Sequence, residues 1–209
     1  MTAIRPGRRA VFLDRDGVIN RMVYHAEFGL MDSPQNPDEF ELLPGVGEAI
    51  LRLNQMGWLT VVVSNQPGIA KGKSTLALLE ATTRKMHRGL AQAGAHLNAV
   101  YYCLHHPEAA QQEYRVVCDC RKPMPGLLQL AAIEHGIDLR ASFMVGDGLT
   151  DVLAGQAAGC ITVLLGNDKC ELCQAMQARQ ARPDIVLPDL GQVVRFAEKT
   201  GLEIRPVGF

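Results

Sequence analysis

Six short apolar segments alternate with stretches of helical periodicity along this chain of 209 residues. The segment TVVVSN at 60–65 is rich in β-branched residues and apolar on both faces, as is typical of a buried parallel strand. Such alternation predicts βαβ units, whose right-handed crossovers build a mainly parallel sheet. We therefore predict an α/β fold, a three-layer Rossmann-like parallel sheet with helices on both faces.

The predicted elements leave two long polar segments, 21–44 and 104–125, which we expect to be loops. Neither is long enough to form a large cap domain, so we expect one domain over 1–209 with an open site. The strands are predicted at 11–14, 60–65, 99–103, 142–147, 161–166 and 184–188. The helices are predicted at 46–56, about 75–94, 126–135, 150–158, 171–182 and 190–199.

Composition restricts the class of partner. The formal net charge is −1, so no overall charge attracts nucleic acid or an anionic membrane surface. No apolar run approaches the ~20 residues that span a bilayer, and the apolar segment after the basic N-terminus is too short for a signal peptide. We expect a cytoplasmic monomer that acts on a small molecule, with no nucleic acid or membrane partner.

Polar side chains gather where the predicted strands end and in the loop before the helix at 126–135. Ligands of parallel sheets bind beyond the carboxyl ends of the strands, so these side chains are expected to share one crevice. They are Asp14, Asp16, Ser64, Asn65, Arg121, Lys122, Asp147 and Asp151.

This set of side chains suits phosphoryl transfer. Asp14 and Asp147 offer the oxygen ligands that Mg²⁺ prefers. The Ser64 hydroxyl and the Lys122 ammonium can hold phosphate oxygens, on which charge spreads in the transition state. One aspartate can attack phosphorus while Asp16, two positions on and pointing the same way in extended chain, transfers protons.

Each residue also has a structural explanation when taken alone. An Asp-Gly pair is a turn signal, Ser64 could cap a turn, and Lys122 could be a solvated surface charge. Asp151 suits the first turn of a helix, where a negative charge complements the helix dipole. The functional interpretation depends on the occurrence of all these residues in order at strand ends.

The segments DRDGVIN, VVVSN, RKP and GDGLTD resemble the four ordered motifs of the haloacid dehalogenase (HAD) superfamily of phosphatases. The resemblance implies that Asp14 is the nucleophile and that Asp16 is the general acid/base, with its backbone carbonyl on Mg²⁺. It also implies that Ser64 and Lys122 stabilise the phosphoryl group and that Asp147 is a metal ligand.

A second cluster has the pattern C-x-H…C-x-C and consists of Cys103, His105, Cys118 and Cys120. Three thiolates and one imidazole suit a tetrahedral, structural Zn²⁺. The segment between the two ligand pairs has little apolar surface, so a metal would fix the shape of a zinc-binding loop at 103–120. Unrelated thiols are the alternative, and the adjacent His106 competes with His105 as ligand.

The other cysteines carry less information. Cys160 lies near a predicted strand start, where a thiol is expected in the core. Cys170 and Cys173 form a C-x-x-C on the predicted helix 171–182 with no partner pair nearby, and we interpret them as incidental thiols.

DRDGVIN, SNQPGIAKG and CLHH…CDCRKP together resemble the D-glycero-D-manno-heptose 1,7-bisphosphate 7-phosphatases, and the related histidinol-phosphate phosphatases share the loop type. The resemblance implies that Arg121 contributes to substrate recognition. It further implies that the segments around Arg15, Asn65 and Gln66 contact the phosphate of the substrate.

Two departures from the heptose enzymes affect the substrate. The segment 21–44 is longer than usual, and Gly148 stands where a lysine is common. A heptose bisphosphate, histidinol phosphate and another small sugar phosphate therefore all remain open. A phosphotransferase would need a cap that excludes water, and a non-enzymatic zinc module would leave the aspartates and Lys122 without a role.

Overall fold

Eight strands and five α-helices lie within residues 7–26, 29–166, 176 and 178–200, which are the residues that this computed structural model describes. The strands are β1 (Ala10–Leu13), β2 (Val23–His25), β3 (Leu30–Asp32), β4 (Leu59–Asn65), β5 (Ala99–Cys103), β6 (Phe143–Gly146), β7 (Ile161–Leu165) and β8 (Ile185–Leu187). The helices are α1 (Val46–Gln55), α2 (Leu76–Gln92), α3 (Gly126–His135), α4 (Leu149–Ala158) and α5 (Leu190–Thr200).

Six of the strands form one parallel sheet in the order β5-β4-β1-β6-β7-β8. The central strands β1, β4 and β6 are buried on both faces, which is why their sequences are apolar without alternation. Strand β1 lies between β4 and β6, so the residues that follow it come out in the middle of the carboxyl edge.

Successive residues of β1 point into two different cores. Val11 and Leu13 pack with α1, α2 and α5 on one face of the sheet. Ala10 and Phe12 pack on the other face, against apolar side chains of α3 and α4. The predicted three-layer α/β fold is therefore confirmed, and the apolar spacing of each helix reflects the face on which it lies.

The prediction that 21–44 is a loop was wrong in one respect. Strands β2 and β3 form an antiparallel hairpin within it, paired from Val23 with Asp32 to His25 with Leu30. Each strand has only three residues, which is too short for the alternation that identifies a strand in sequence. The segment 104–125 likewise contains a 3₁₀ turn at Gln112–Tyr114.

The remaining element boundaries agree with the predictions to within two residues, and α3 has the predicted ends. Half of the predicted helix 171–182, namely residues 171–175 with Cys173 and residue 177, lies outside the described residues, as does Cys170. Among the residues that are described, no helix has both the length and the apolar character to cross a membrane.

Candidate active site

The loop after β1 brings Asp14 to the carboxyl edge of the sheet. The Asp14 N–H donates to the carbonyl of Val145 at 2.9 Å, which extends the pairing of β1 with β6. The chain then turns back at once, because the N–H groups of Ile19 and Asn20 both donate to the carbonyl of Arg15. Asp14 thus stands half-buried at the tip of a central strand.

The tight turn depends on Gly17. Its φ is +82°, a conformation that residues with a side chain rarely adopt. A Cβ at this position would also lie 2.0 Å from Oδ2 of Asp147. Glycine is therefore required twice, once for the backbone conformation and once for the approach of the β1 loop to the end of β6.

Lys122 is the cation at the centre of the site. Its side chain is buried, with Nζ 3.0 Å from Oδ1 of Asp14 and 2.5 Å from Oδ1 of Asp151. Nζ also donates to the carbonyl of Val63 at 2.9 Å. Burial acts to lower the pKa of Lys122, but the two carboxylates outweigh burial, and the pKa is raised. The ammonium is thus held charged beside Asp14.

Three carboxylates meet at the same end of the sheet. One oxygen from each of Asp14, Asp147 and Asp151 lies within 4.8 Å of the others. Desolvation raises the pKa of Asp147 to about 7 although its side chain is partly exposed, and repulsion from the other two carboxylates adds to the shift. The pKa of the buried Asp151 rises to about 6, chiefly through desolvation. Such crowded carboxylates are suited to a divalent cation, which relieves their repulsion.

Asp151 has a further structural task in this cluster. Its Oδ1 contacts Lys122, and its Oδ2 accepts from the N–H of Gly148 at 3.1 Å. The pattern closes the first turn of α4 and fixes the loop that carries Asp147. Asp151 is thus engaged with Lys122 and the loop backbone, and the assignment of Asp14 and Asp147 to Mg²⁺ stays a prediction.

The end of β4 contributes Ser64 and Asn65, in different ways. Ser64 is buried, and its hydroxyl oxygen accepts from Nε2 of Gln66 at 3.1 Å. The amide of Asn65 exchanges two hydrogen bonds with the backbone of Lys122, both at 3.0 Å. The Asn65 side chain therefore holds the Lys122 loop, a role that the sequence did not indicate.

Asp16 is buried in a network of donors. Its carboxylate accepts from Nε and Nη2 of Arg15, from Nδ2 of Asn20 and from Nε2 of Gln66, at 2.6 to 3.1 Å. Arg15 is fully buried and its guanidinium also lies over the ring of Tyr102, 5.7 Å from the centroid. The guanidinium of Arg15 is thus engaged with Asp16, and the contact of the Arg15 segment with the phosphate of the substrate stays a prediction for its backbone.

The cysteine and histidine cluster predicted from sequence is assembled. The ligand atoms of its four members lie within 4.8 Å of one another, and adjacent pairs are 3.1 to 3.9 Å apart. Three thiolates and one imidazole are the donors of a tetrahedral Zn²⁺ site. The three sulfurs lie 3.1 to 3.6 Å apart and would move slightly apart to reach the separation of about 3.8 Å that tetrahedral coordination requires. Nδ1 of His105 faces the cluster, whereas Nδ1 of His106 accepts from the N–H of Glu108.

Backbone hydrogen bonds connect the cluster to the loops at the carboxyl edge of the sheet. Cys103 is the last residue of β5 and its carbonyl accepts from the N–H of Gln66 at 2.8 Å. Cys120 is followed directly by Arg121, whose Nη1 donates to the carbonyl of His105 at 3.2 Å. A metal in the cluster would therefore set the course of the chain that leads to Lys122.

The segment 21–44 contacts the loop that follows β4. Nζ of Lys73 contacts Oδ2 of Asp32 at 2.6 Å, and the Ser74 hydroxyl donates to the carbonyl of Gln35 at 2.6 Å. A narrow cleft runs between the two loops and reaches Gln66. This cleft is the part of the site where the inserted hairpin can influence which molecule binds.

Comparison with known proteins identifies the family. A profile described as HAD-hydrolase-like matches residues 119–193. D-glycero-beta-D-manno-heptose-1,7-bisphosphate 7-phosphatase of Escherichia coli K12 is 46% identical over 156 residues, which are 75% of this chain and 78% of that protein. The enzyme of the same name from Haemophilus ducreyi is 38% identical over 192 residues, or 91% of this chain and 98% of that one. The chain belongs to the HAD phosphatases, in the family of these enzymes.

Solved structures agree with this HAD assignment. The D,D-heptose 1,7-bisphosphate phosphatase from B. bronchiseptica, complexed with magnesium and phosphate, superposes with a TM-score of 0.74 at 35% identity. The comparison covers 91% of this chain and 98% of that one. The corresponding enzyme of Burkholderia thailandensis gives a TM-score of 0.62 at 32% identity, covering 90% and 97%. A solved relative of this HAD phosphatase thus contains both magnesium and phosphate.

Proposed function

We propose that this chain is a Mg²⁺-dependent phosphomonoester hydrolase that works through an aspartyl-phosphate and removes the 7-phosphate of D-glycero-β-D-manno-heptose 1,7-bisphosphate. The observation that carries the chemistry is the proximity of Asp14 to both the Lys122 ammonium and the Asp147 carboxylate. The substrate is suggested by relatives that carry this enzyme name and are 38 to 46% identical to the chain.

In the proposed reaction, Asp14 attacks phosphorus as the bond from phosphorus to the sugar oxygen breaks. The contacts of Asp14 with Lys122 and with the Arg15 N–H fall on Oδ1, so Oδ2 is the oxygen offered for attack. The sugar oxygen leaves with the bonding electron pair and takes a proton from Asp16. Ser64 and Lys122 stabilise the charge on the phosphoryl oxygens.

The second half of the reaction regenerates the enzyme. Water attacks the phosphorus of the aspartyl-phosphate, the bond from phosphorus to the Asp14 oxygen breaks, and Asp16 accepts the proton of the water. Inorganic phosphate then leaves. Asp16 thus serves as acid in the first step and as base in the second, which returns it to its original state.

Asp14, Asp147 and the backbone carbonyl of Asp16 would hold the Mg²⁺. When bound, Mg²⁺ offsets the negative charge of the carboxylate and the phosphate, so that the two can approach each other. We further propose Zn²⁺ as a structural cofactor in the zinc-binding loop at 103–120. Its four ligands would leave no open coordination position, so it would shape the loop and take no part in the chemistry.

The nucleophile assignment is tested by Asp14→Asn, which preserves shape and removes the attacking oxygen. We expect phosphate release to fall at least about 10³-fold, because the covalent route is lost. The melting temperature and the secondary structure should be those of the unmodified protein. Normal turnover by the variant would contradict the assignment.

The substrate is tested by measuring Mg²⁺-dependent phosphate release from heptose 1,7-bisphosphate, histidinol phosphate and several common sugar phosphates. A clear preference for the heptose, judged by kcat/KM, is the expected result. Preference for histidinol phosphate or another sugar phosphate would keep the chemistry and reassign the substrate. Transfer of phosphate to a sugar hydroxyl in place of water would identify a phosphotransferase.

We also propose that residues 1–209 form a single domain and that the enzyme is a cytoplasmic monomer without a nucleic acid or membrane partner. The formal net charge of −1 supports the absence of a polyanionic partner. Light scattering of the purified protein tests the oligomeric state. Fractionation of cells that produce the protein tests the location.

A further inference from the structure

Gln66 connects two groups to which the proposed reaction assigns separate tasks. Nε2 of Gln66 donates to Oδ2 of Asp16 at 2.6 Å and to Oγ of Ser64 at 3.1 Å. A primary amide has two N–H bonds, so both are used. One amide therefore joins the proposed acid/base to the hydroxyl that is proposed to bind phosphate.

The carboxylate of Asp16 has no spare acceptor capacity in this arrangement. An ionised carboxylate offers about four acceptor positions, and Arg15, Asn20 and Gln66 together make five contacts with it. Asp16 is also only 7% exposed. To act as the acid, Asp16 must carry a proton on one oxygen and direct that O–H to the leaving oxygen, so one of the protein donors must give up its place on that oxygen.

Gln66 is the donor that releases Asp16 at the lowest cost. Hydrogen bonds from the charged guanidinium of Arg15 are stronger than those from a neutral amide. The one contact from Asn20 falls on Oδ1 of Asp16, as do two of the three contacts from Arg15. Gln66 contacts Oδ2, which is therefore the oxygen that can be freed while Arg15 and Asn20 keep the carboxyl group in place.

The same amide also controls the direction of the Ser64 hydroxyl proton. A hydroxyl has one O–H bond and two acceptor positions. Because Oγ of Ser64 accepts from Gln66, its own proton points away from Nε2 and is free for another acceptor. A phosphoryl oxygen is the acceptor that the proposed reaction brings to this place.

We propose that Gln66 is a positioning residue for phosphoryl transfer, and not the substrate contact that its motif implied. It orients Asp16 for proton transfer to the leaving oxygen and orients the Ser64 hydroxyl for the phosphoryl group. Gln66 itself gives and takes no proton. A side chain that is 5% exposed and engaged with two protein groups has little surface left for a substrate. The inference rests on the proposed phosphatase activity.

The test compares two leaving groups in the holoenzyme and in Gln66→Met, which keeps the length of the side chain and removes both N–H donors. A sugar phosphate needs a proton on its leaving oxygen, whereas p-nitrophenyl phosphate releases a stable anion without one. kcat/KM is the quantity to measure, because it reports only steps up to the first irreversible one, here cleavage of the bond to the leaving oxygen. We expect kcat/KM for the sugar phosphate to fall about ten-fold more than kcat/KM for the aryl phosphate, because without the amide Oδ2 of Asp16 is no longer held in the position from which it reaches the leaving oxygen.

Equal losses for both substrates would overturn the inference, since a substrate contact or a general loosening of the site affects both alike. Gln129→Met, on the exposed face of α3, is the matched control and should change neither value. Gln66→Glu gives a second variant of the same length and should also weaken the sugar phosphate reaction selectively. If the unmodified holoenzyme releases no phosphate from either compound, the proposed function fails, and that result is distinct from failure of the role of Gln66.

Discussion

The side-chain amide of Asn65 forms two hydrogen bonds with the backbone of Lys122. Its Oδ1 accepts from the Lys122 N–H and its Nδ2 donates to the Lys122 carbonyl, each at 3.0 Å. The two residues are 57 positions apart in the chain, so the pair ties the loop after the cysteine cluster to the end of β4. We expect the distance from the Lys122 ammonium to Asp14 to depend on this connection.

Removal of the amide in Asn65→Ala should lower kcat about ten-fold or more and change KM less, because the ammonium stabilises the transition state more than the bound substrate. Asn65→Asp keeps an acceptor for the Lys122 N–H and loses the donor, so it should be impaired to a smaller extent. Steady-state kinetics on both variants provide the measurement. A rise in KM with unchanged kcat would instead identify Asn65 as the substrate contact that its motif implied.

The cysteine cluster should contain zinc in the purified protein. We expect about one equivalent by mass spectrometry, and little in Cys118→Ala. Loss of the metal should also lower phosphatase activity, because Cys120 leads directly into the Lys122 loop. Cys160→Ala, which alters a buried thiol outside the cluster, is the control and should keep both metal and activity. A Cys118→Ala protein with full zinc content would show that the cluster is not the binding site.

Gly17→Ala should abolish Mg²⁺ binding as well as strain the backbone. The added Cβ would lie 2.0 Å from Asp147 Oδ2, so that carboxylate must move. Gly57→Ala is the matched control, because Gly57 has a similar φ of +77° and no atom within 4 Å of the added Cβ. Both variants should lose ~1 kcal/mol of stability through backbone strain. Calorimetric titration with Mg²⁺ should separate them, and equal Mg²⁺ affinity in the two would exclude a steric effect on Asp147.

The crowded carboxylates should make the stability of the metal-free protein depend on pH. Desolvation and neighbouring charges raise the pKa of Asp147 from an ordinary 3.8 to about 7. A carboxyl that binds its proton more tightly when folded disfavours the fold when it ionises. The free energy of unfolding should therefore fall as pH rises from about 4 to about 7 through this group.

Mg²⁺ should reverse this loss, so its stabilising effect should be larger at pH 8 than at pH 5.5. Thermal melts with and without Mg²⁺ at the two pH values provide the measurement. Asp147→Asn should reduce both the pH dependence and the response to Mg²⁺, whereas Asp38→Asn in an exposed loop should leave both unchanged. An equal Mg²⁺ effect at both pH values would argue against ionisation of Asp147 in this range.

The strands and helices of the parallel sheet were predictable because they follow from local patterns, whereas the order of the strands was not predicted. TVVVSN is apolar on both faces, and α3 ends at Gly136, whose φ of +63° suits a helix end. The hairpin in 21–44 was not predictable, since three-residue strands carry too few alternating positions. Gly29, which lies between the two strands at φ +62°, was the one local signal of a turn there.

The roles of the site residues divide in a similar way. Asp14 and Lys122 carry charges whose position at a strand end or in a motif already indicates chemistry. Asn65 and Gln66 are neutral, and their partners lie 57 and 50 positions away in the chain. Hydrogen bonds across such distances depend on the packing of the whole sheet, and no local pattern encodes them. The role of Arg15 was likewise not predictable, because its sequence position does not indicate that the guanidinium is buried against Asp16.

The segment 21–44 departs from the body of the enzyme and returns to it at almost the same place. Asn20 forms a bridge with Leu42, the Arg21 N–H donates to the carbonyl of Glu41, and the Leu43 N–H donates to the carbonyl of Ile19. A segment whose two ends are hydrogen-bonded to each other in this way can be lengthened, shortened or exchanged without moving Asp14. Natural variation and laboratory grafting at this position can therefore alter which phosphate ester is chosen while the machinery of hydrolysis is inherited intact.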